Sequence, residues 1–278
     1  MTTLHVSGPL DDERRGRLVH AGDLLVFPAV PPLAAFCDRA EELIRDALGP
    51  HDPTTAQSAM ARDDFLAAVT ALQRRYREDR TQADLLRSAL EYAGVDTDRT
   101  CWDHPYLRVL PSTPLDSRRT GGLGAHRDTW SSNVYAQTNW WTPIFPLTAG
   151  RTIAFYPAYW ASPLANTSAE WDLEVLRAQG RAALPLVPEA TEPVDTSAEL
   201  RVVVAPGDLL CFSGAHLHAS VPNATDVTRF SVEVRSVHVD DVRSGRGAPN
   251  VDGAAPRVAL EWFARMADAT PLPTLVCG

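Results

Sequence analysis

Basic charge is in short supply: 26 lysine and arginine side chains face 35 aspartates and glutamates, a formal net charge of -9. Nothing in the chain resembles a basic stripe, which argues against a nucleic-acid partner. The same balance modestly favours neutral or cationic substrates over polyanions. Cysteine is also sparse. Cys37, Cys101, Cys211 and Cys277 form no CxxC pair, and their scatter does not suggest zinc ligation. They fit a reduced intracellular protein in which thiols pack as small hydrophobes. No apolar run approaches the ~20 residues that a membrane span needs. The opening MTTLHVSGPLDDERR is polar and acidic and has no apolar h-region, so no signal peptide is expected and the expected location is the cytoplasm. Internal repeats are absent. No long Gly/Ser- or Pro-rich linker divides the 278 residues, so a single domain over 1–278 is expected. At 45% hydrophobic residues the chain can bury a full core.

Apolar periodicity divides the chain into two textures. Asp23 to Phe27 is a short apolar strand stopped by Pro28. Leu33 to Leu48, Asp63 to Tyr76 and Gln82 to Tyr92 then carry helical stripes, the first ended by Gly49-Pro50 and the last by Gly94. Together they form a helical layer over about 30–95 that needs something to pack on. From Tyr106 the pattern shortens. Strands are expected at Tyr106–Leu110, Val134–Thr142, Thr152–Tyr156, Leu200–Val204, Asp208–Phe212 and Arg229–Val239, most of them separated by Gly, Pro, Asn and Asp. Pro256 to Met266 reads as a closing helix (about 256–266), with Val258, Leu260, Trp262 and Phe263 apolar. Short strands preceded by helices predict a mainly β fold with flanking helices, a double-sheet jelly roll over about 106–240. Two long connections, Gln179 to Ser197 and Asp240 to Ala255, are candidates for covers over an active site.

The chemistry concentrates in His126-Arg127-Asp128, read together with His218. Residues i and i+2 of a strand point the same way, so His126 and Asp128 can reach one metal ion from the mouth of a sheet. Two imidazoles and one carboxylate can occupy one face of a ferrous ion and leave three positions open, the facial triad of non-heme iron oxygenases. Manganese, cobalt and nickel also suit such ligands. In His216-Leu217-His218 either histidine can be the third ligand. The strand from Thr228 to Arg235 alternates cleanly. Phe230, Val232 and Val234 share one face; Arg229, Ser231, Glu233 and Arg235 share the other. With the apolar face on the helical layer, the polar face looks into the barrel, where Arg229 can grip a carboxylate in a bidentate fork and Ser231 can add a hydroxyl.

These elements in this order resemble the Fe(II)/2-oxoglutarate-dependent dioxygenases, in particular their phytanoyl-CoA-dioxygenase-like branch. The matching pieces are His126-Arg127-Asp128, the Gly150–Pro157 segment, Pro206–Phe212, Leu217–Asn223 and Arg229-Phe230-Ser231. The resemblance implies a double-stranded β-helix (cupin-like) core, with Fe(II) on His126, Asp128 and His218. His218 rather than His216 is implied because it precedes the Ala-Ser-Val-Pro-Asn run. Arg229 would pair with the distal carboxylate of 2-oxoglutarate, with Ser220, Thr152 and Ser231 as further cosubstrate contacts. One departure stands out: where the family usually runs into Pro-Gly-Ser-His, this chain has Pro157-Ala158-Tyr159-Trp160.

The implied activity is oxidation of an unactivated C–H bond of a small molecule, hydroxylation first among the outcomes, with 2-oxoglutarate and O2 as cosubstrates and specialised biosynthesis as the setting. Desaturation, ring closure and epimerisation are variants within the family. Halogenases of the superfamily replace the carboxylate ligand with a small residue, so Asp128 argues against halogenation. Five of the seven tryptophans lie in one stretch: Trp130, Trp140, Trp141, Trp160 and Trp171. Aromatic walls can hold a cation or a planar ring, and Trp130 and Trp141 are the first candidates. Tyr135, Gln137, Asn139 and Trp141 share a strand face; if it looks inward, Gln137 and Asn139 can touch cosubstrate or substrate, and Tyr135 joins Trp141 as a substrate contact. Arg127 points opposite to its neighbours, toward substrate or solvent, and Arg108, Arg118 and Arg119 are lesser candidates. Two rival readings stay open: a cupin-like metalloenzyme that uses no 2-oxoglutarate, and a binding protein of this fold without catalysis.

Overall fold

Alternation along the strands divides the apolar side chains between two cores, and that division builds the molecule. In the computed structural model, which describes residues 2–112, 122–180 and 184–276, the chain runs β1 (Thr3–His5), α1 (Asp12–His20), β2 (Leu24–Phe27), α2 (Pro31–Leu48), α3 (Ala56–Ala59), α4 (Arg62–Glu78), α5 (Arg80–Tyr92), β3 (Thr100–Trp102) and β4 (Tyr106–Leu110). It continues through α6 (Thr129–Ser132), β5 (Gln137–Pro143), β6 (Ile153–Phe155), α7 (Leu173–Gln179), β7 (Leu200–Val202), β8 (Leu209–Ser213), β9 (His218–Ser220), β10 (Arg229–His238), α8 (Val239–Ser244), β11 (Ala264–Arg265) and α9 (Leu272–Val276). Eight strands form a mixed sheet in the order β1-β2-β8-β5-β10-β3-β11, with β4 also paired to β10; three form a second sheet, β7-β6-β9. Among the described residues, no helix is long and apolar enough to cross a membrane.

The large sheet meets the helices on one face and the small sheet on the other. Leu25 and Phe27 of β2, Leu209 and Cys211 of β8, Trp140 of β5 and Phe230, Val232 and Val234 of β10 join α2, α4 and α5 in one core. Their strand neighbours Leu24, Val26, Leu210, Phe212 and Trp141 pack instead against Ile153, Phe155 and Val202 of the small sheet. This is the period of two that a β-strand imposes. The helices form where the stripes predict. Pro31 opens α2, as suits a residue with no N–H to satisfy. Leu33, Phe36, Ala40, Leu43, Ile44 and Leu48 make its buried face, and Gly49 closes it at φ 63°. Asp79 caps α5 by accepting from Gln82 N and also pairs with Arg39 of α2, binding two helices at one corner. Gly94 turns at φ 96°, and an added Cβ there would lie 2.5 Å from the Leu10 carbonyl oxygen, so the turn needs glycine for both reasons.

The closing helix expected at Pro256–Met266 does not form. Leu260–Trp262 makes a single 3-10 turn, and Ala264–Arg265 is strand β11, paired to β3. The backbone of this segment satisfies itself outward: Ala259 N–H donates to Ser132 O at 2.8 Å, and Met266 N–H to Thr100 O at 3.0 Å. Phe263 and Leu272 bury in a third core with Cys101 and Val134. Tertiary pairing overrides a local stripe whose Val258 is left exposed.

Candidate functional site

The ligand-bearing segments are brought together by backbone pairing. His126 and His218 form an isolated antiparallel bridge, each N–H donating to the other's carbonyl, at 2.9 and 3.0 Å. After Asp128 the chain turns through α6, and Asn133 ends that turn in the left-handed region at φ 52°. Both imidazoles are buried. His126 Nδ1–H donates to Gly124 O at 2.8 Å, and His218 Nδ1–H to His216 O at 3.0 Å. A carbonyl can only accept, so each ring carries its proton on Nδ1 and turns the Nε2 lone pair inward. Nε2 of His126 lies 3.7 Å from one Asp128 oxygen, and Nε2 of His218 lies 4.0 Å from the other. One ligand atom from each of the three residues lies within 4.8 Å of the other two. Burial, then the neighbouring His218, pushes His126 down to about 4, so it stays neutral. Asp128 sits below its ordinary range: burial alone would raise it, but His218, His126 and Arg235 outweigh that. Asn139 donates to the second Asp128 oxygen, and Gln137 donates in turn to Asn139 at 2.8 Å. Two neutral lone pairs and one carboxylate fit a divalent metal ion.

His216 is occupied elsewhere. Its two ring nitrogens lie 3.1 Å from Ser213 O and 3.1 Å from Gly22 O, and Trp160 stacks on it with ring centroids 4.4 Å apart. This leaves His218 as the third member of the group.

Arg229 lies on the inward face of β10 and is almost wholly buried at 4% exposure. One terminal nitrogen donates to Thr152 O at 2.7 Å and the other reaches Ser220 Oγ at 3.3 Å, while Nε has no partner. No carboxylate among the described residues pairs with it. Burial pulls it down to about 10. A buried cation without a counter-ion is costly unless a ligand supplies one. Ser231 is equally buried and its hydroxyl is unpartnered. His126, Asp128, His218, Ser220, Arg229 and Trp141 all line one cavity of about 500 Å³. A larger cleft of about 910 Å³ lies between α4 and β4 and touches none of the three candidate ligands.

Several sequence candidates occupy other places. Arg127 is buried and does not line the cavity. Its guanidinium is buried and donates to Asp252, to Ala215 O at 2.5 Å, to Tyr159 O at 2.6 Å and to Ser162 O at 3.2 Å. Trp130 is fully buried behind the cavity and donates to Asp252 at 2.7 Å. Tyr135 precedes β5 in a turn, outside the cavity, and packs against Gly253; the strand alternation expected from Val134 begins only at Gln137. Thr152 turns its hydroxyl to Val202 O and meets Arg229 through its carbonyl. Asn139 lines the cavity and donates to Asp128, while Gln137 lies behind it and donates to Asn139. Arg108 pairs with Glu233. Arg118, Arg119 and Cys277 lie outside the described residues.

The sequence reading missed much of the cavity wall. Trp262, Tyr106, His104, Arg235 and Trp171 line it. The only early signal was Arg235 on the polar face of its strand. Asp252 was missed entirely, although it receives Arg127, Trp130 and the Leu164 N–H. The 240–255 segment is therefore fastened behind the candidate ligands rather than laid over them. Leu186 and Val187, from the other long connection, do line the cavity.

No protein-family model matches the chain, and none of the curated proteins matches it. Solved structures similar to it include the non-heme monooxygenase ThoJ in its apo form, with a TM-score of 0.44 and 18% identity over 81% of this chain and 77% of that one. The epimerase SnoN in complex with Fe3+, alpha ketoglutarate and nogalamycin RO has a TM-score of 0.46 and 12% identity over 82% of this chain and 83% of that one. EvdO2 from Micromonospora carbonacea var. aurantiaca has a TM-score of 0.47 and 14% identity over 97% and 98%. Likenesses at this level of identity do not specify an activity; that falls to the side chains.

Proposed function

We propose that the protein is an Fe(II)- and 2-oxoglutarate-dependent oxygenase of the phytanoyl-CoA-dioxygenase-like branch, built on a double-stranded β-helix formed by the two sheets. It oxidises, by hydroxylation, an unactivated C–H bond of a small molecule in specialised biosynthesis. One observation carries this reading: two inward-facing Nε2 atoms and a carboxylate share a cavity with a buried arginine that no carboxylate among the described residues pairs with.

His126, Asp128 and His218 would hold the iron. When bound, iron supplies oxygen activation coupled to decarboxylation of 2-oxoglutarate to succinate. The chain's own residues do the rest. Arg229 pairs with the distal carboxylate of the cosubstrate and Ser220 adds a hydroxyl beside it, while Ser231 lies buried on the same strand face. Trp141 packs near the guanidinium, its ring centroid 6.0 Å from Cζ. Asn139 fixes the orientation of Asp128, and the two backbone carbonyls fix the tautomers of the histidines. The buried walls keep water from the reacting carbon. A cupin-like enzyme that uses no 2-oxoglutarate would leave Arg229 with no carboxylate partner among the described residues, which disfavours that rival.

The test is succinate formation from 2-oxoglutarate with iron and oxygen, without added substrate, read against Asp128→Ala. Slow succinate release by the native protein and none above the blank by the variant are expected. Equal release by both would remove Asp128 from the metal.

A further inference from the structure

Beyond the metal ligands and Arg229, the cavity extends toward Tyr106, Trp171 and Trp262. Its buried charges there are spent on one another. Arg235 Nε donates to Asp103 at 2.6 Å, and its backbone N–H to the same carboxylate at 2.9 Å. Arg108 Nε donates to Glu233 at 2.9 Å. At the rim Arg177 pairs with Glu174 at 2.7 Å, and Glu261 is exposed. The Arg235 guanidinium is held between two rings, with Cζ 5.3 Å from the Trp262 centroid and 5.7 Å from that of Tyr106. Burial alone would lower its pKa; Asp103 and Tyr106 more than offset that, so it stays charged and committed. His104 lies tilted against Tyr106 with centroids 3.9 Å apart, and burial, Arg77 and Arg235 keep it neutral. Trp171 and Trp262 meet edge to face at 6.5 Å. Trp171 donates its indole N–H to Pro185 O at 3.0 Å. Neither the Trp262 indole N–H nor the Tyr106 hydroxyl has a hydrogen-bond partner among the described residues.

From this we infer that the substrate half of the cavity takes an uncharged molecule with a flat apolar body. The Trp171 and Trp262 rings wall it, and the Trp262 N–H and Tyr106 hydroxyl bond its neutral polar groups. The inference deepens the oxygenase reading and rests on it, because Arg229 must be reserved for the cosubstrate. An anionic body would find Arg108 and Arg235 already neutralised. A cationic one would find Asp103 and Glu233 already engaged, and would lose its hydration for nothing.

Calorimetric titration of the full chain, loaded with nickel(II) and 2-oxoglutarate, tests this with three probes of one shape: 2-naphthol, 2-naphthoate and 2-naphthylmethylammonium. The neutral probe is expected to bind at least tenfold more tightly than either charged one, and Trp262→Ala to weaken it at least tenfold. Naphthoate or the ammonium binding as tightly as naphthol in the native protein would overturn the inference, and so would naphthol binding unchanged in Trp262→Ala. Binding of 2-oxoglutarate is measured first, without probes. Its failure strikes the cosubstrate reading alone, and the same three titrations on the metal-free chain then judge the aromatic wall.

Discussion

Arg229 concentrates the energetic argument at the scale of single residues. A guanidinium this buried, bonded to one carbonyl and one hydroxyl and paired with no carboxylate among the described residues, is stable only if its cost is met by packing or by a ligand. Charge-assisted bonds to a carboxylate contribute about 1.5–3 kcal/mol, so Arg229→Gln is expected to raise the apparent 2-oxoglutarate dissociation constant about 10–100-fold. Titration of the metal-loaded variant measures this; an unchanged constant would send the cosubstrate elsewhere. His104 makes a second prediction, on pH. Its folded pKa is lowered from 6.5 to about 4. As pH falls through 6.5 the unfolded chain takes up a proton that the folded chain refuses, so stability declines toward pH 4. His104→Gln is expected to flatten that acid decline in denaturant melts between these two values, relative to native. An identical slope in both proteins would mean that His104 is not held neutral by the fold.

At the scale of elements, β10 does most of the organising. It pairs β5 along one edge and β4 and β3 along the other. One face gives Phe230, Val232 and Val234 to the helical core, and the other gives Arg229, Glu233 and Arg235 to the cavity. Phe230→Ala is expected to cost about 3–5 kcal/mol of folding stability, read as a lower urea midpoint with metal affinity intact after refolding; a cost under about 1 kcal/mol would deny the strand its anchoring role. This two-faced alternation was plain in the sequence, as were the stripes of α2, α4 and α5 and the His-x-Asp spacing, because local periodicity and side-chain chemistry decide them. What escaped notice depends on distant partners. β9 has three residues and exists because β6 pairs with it, and β3 because β10 and β11 do. The 256–266 stripe gave way to that same β3 edge. Strand alternation and aromatic clustering point Tyr135 and Trp130 at the cavity, but the turn through α6 redirects the chain before β5 begins at Gln137.

At the scale of the whole molecule, a residue far along the chain holds the front of the site from behind. Asp252 receives Arg127, which lies between two of the candidate ligands, while Arg127 also binds the Ala215 carbonyl on the way to His218. One ion pair thus ties both ligand segments to the 240–255 connection. Asp252→Asn keeps the shape and removes the charge. It is expected to weaken metal binding about 10–100-fold, as losses outside the direct ligands typically do, with secondary structure unchanged by circular dichroism. Native affinity in this variant would make the pair a packing feature only.

The central claim is that three side chains and one arginine make a single site for iron and 2-oxoglutarate. Anaerobic titration of iron(II) and 2-oxoglutarate, followed by the visible charge-transfer band of the chelate, addresses it most directly. The native protein is expected to develop the band, His218→Ala to lose it at equal iron, and Arg229→Gln to need far more 2-oxoglutarate to reach it. A native protein that binds iron yet shows no band, or a His218→Ala protein whose band is undiminished, would contradict the account.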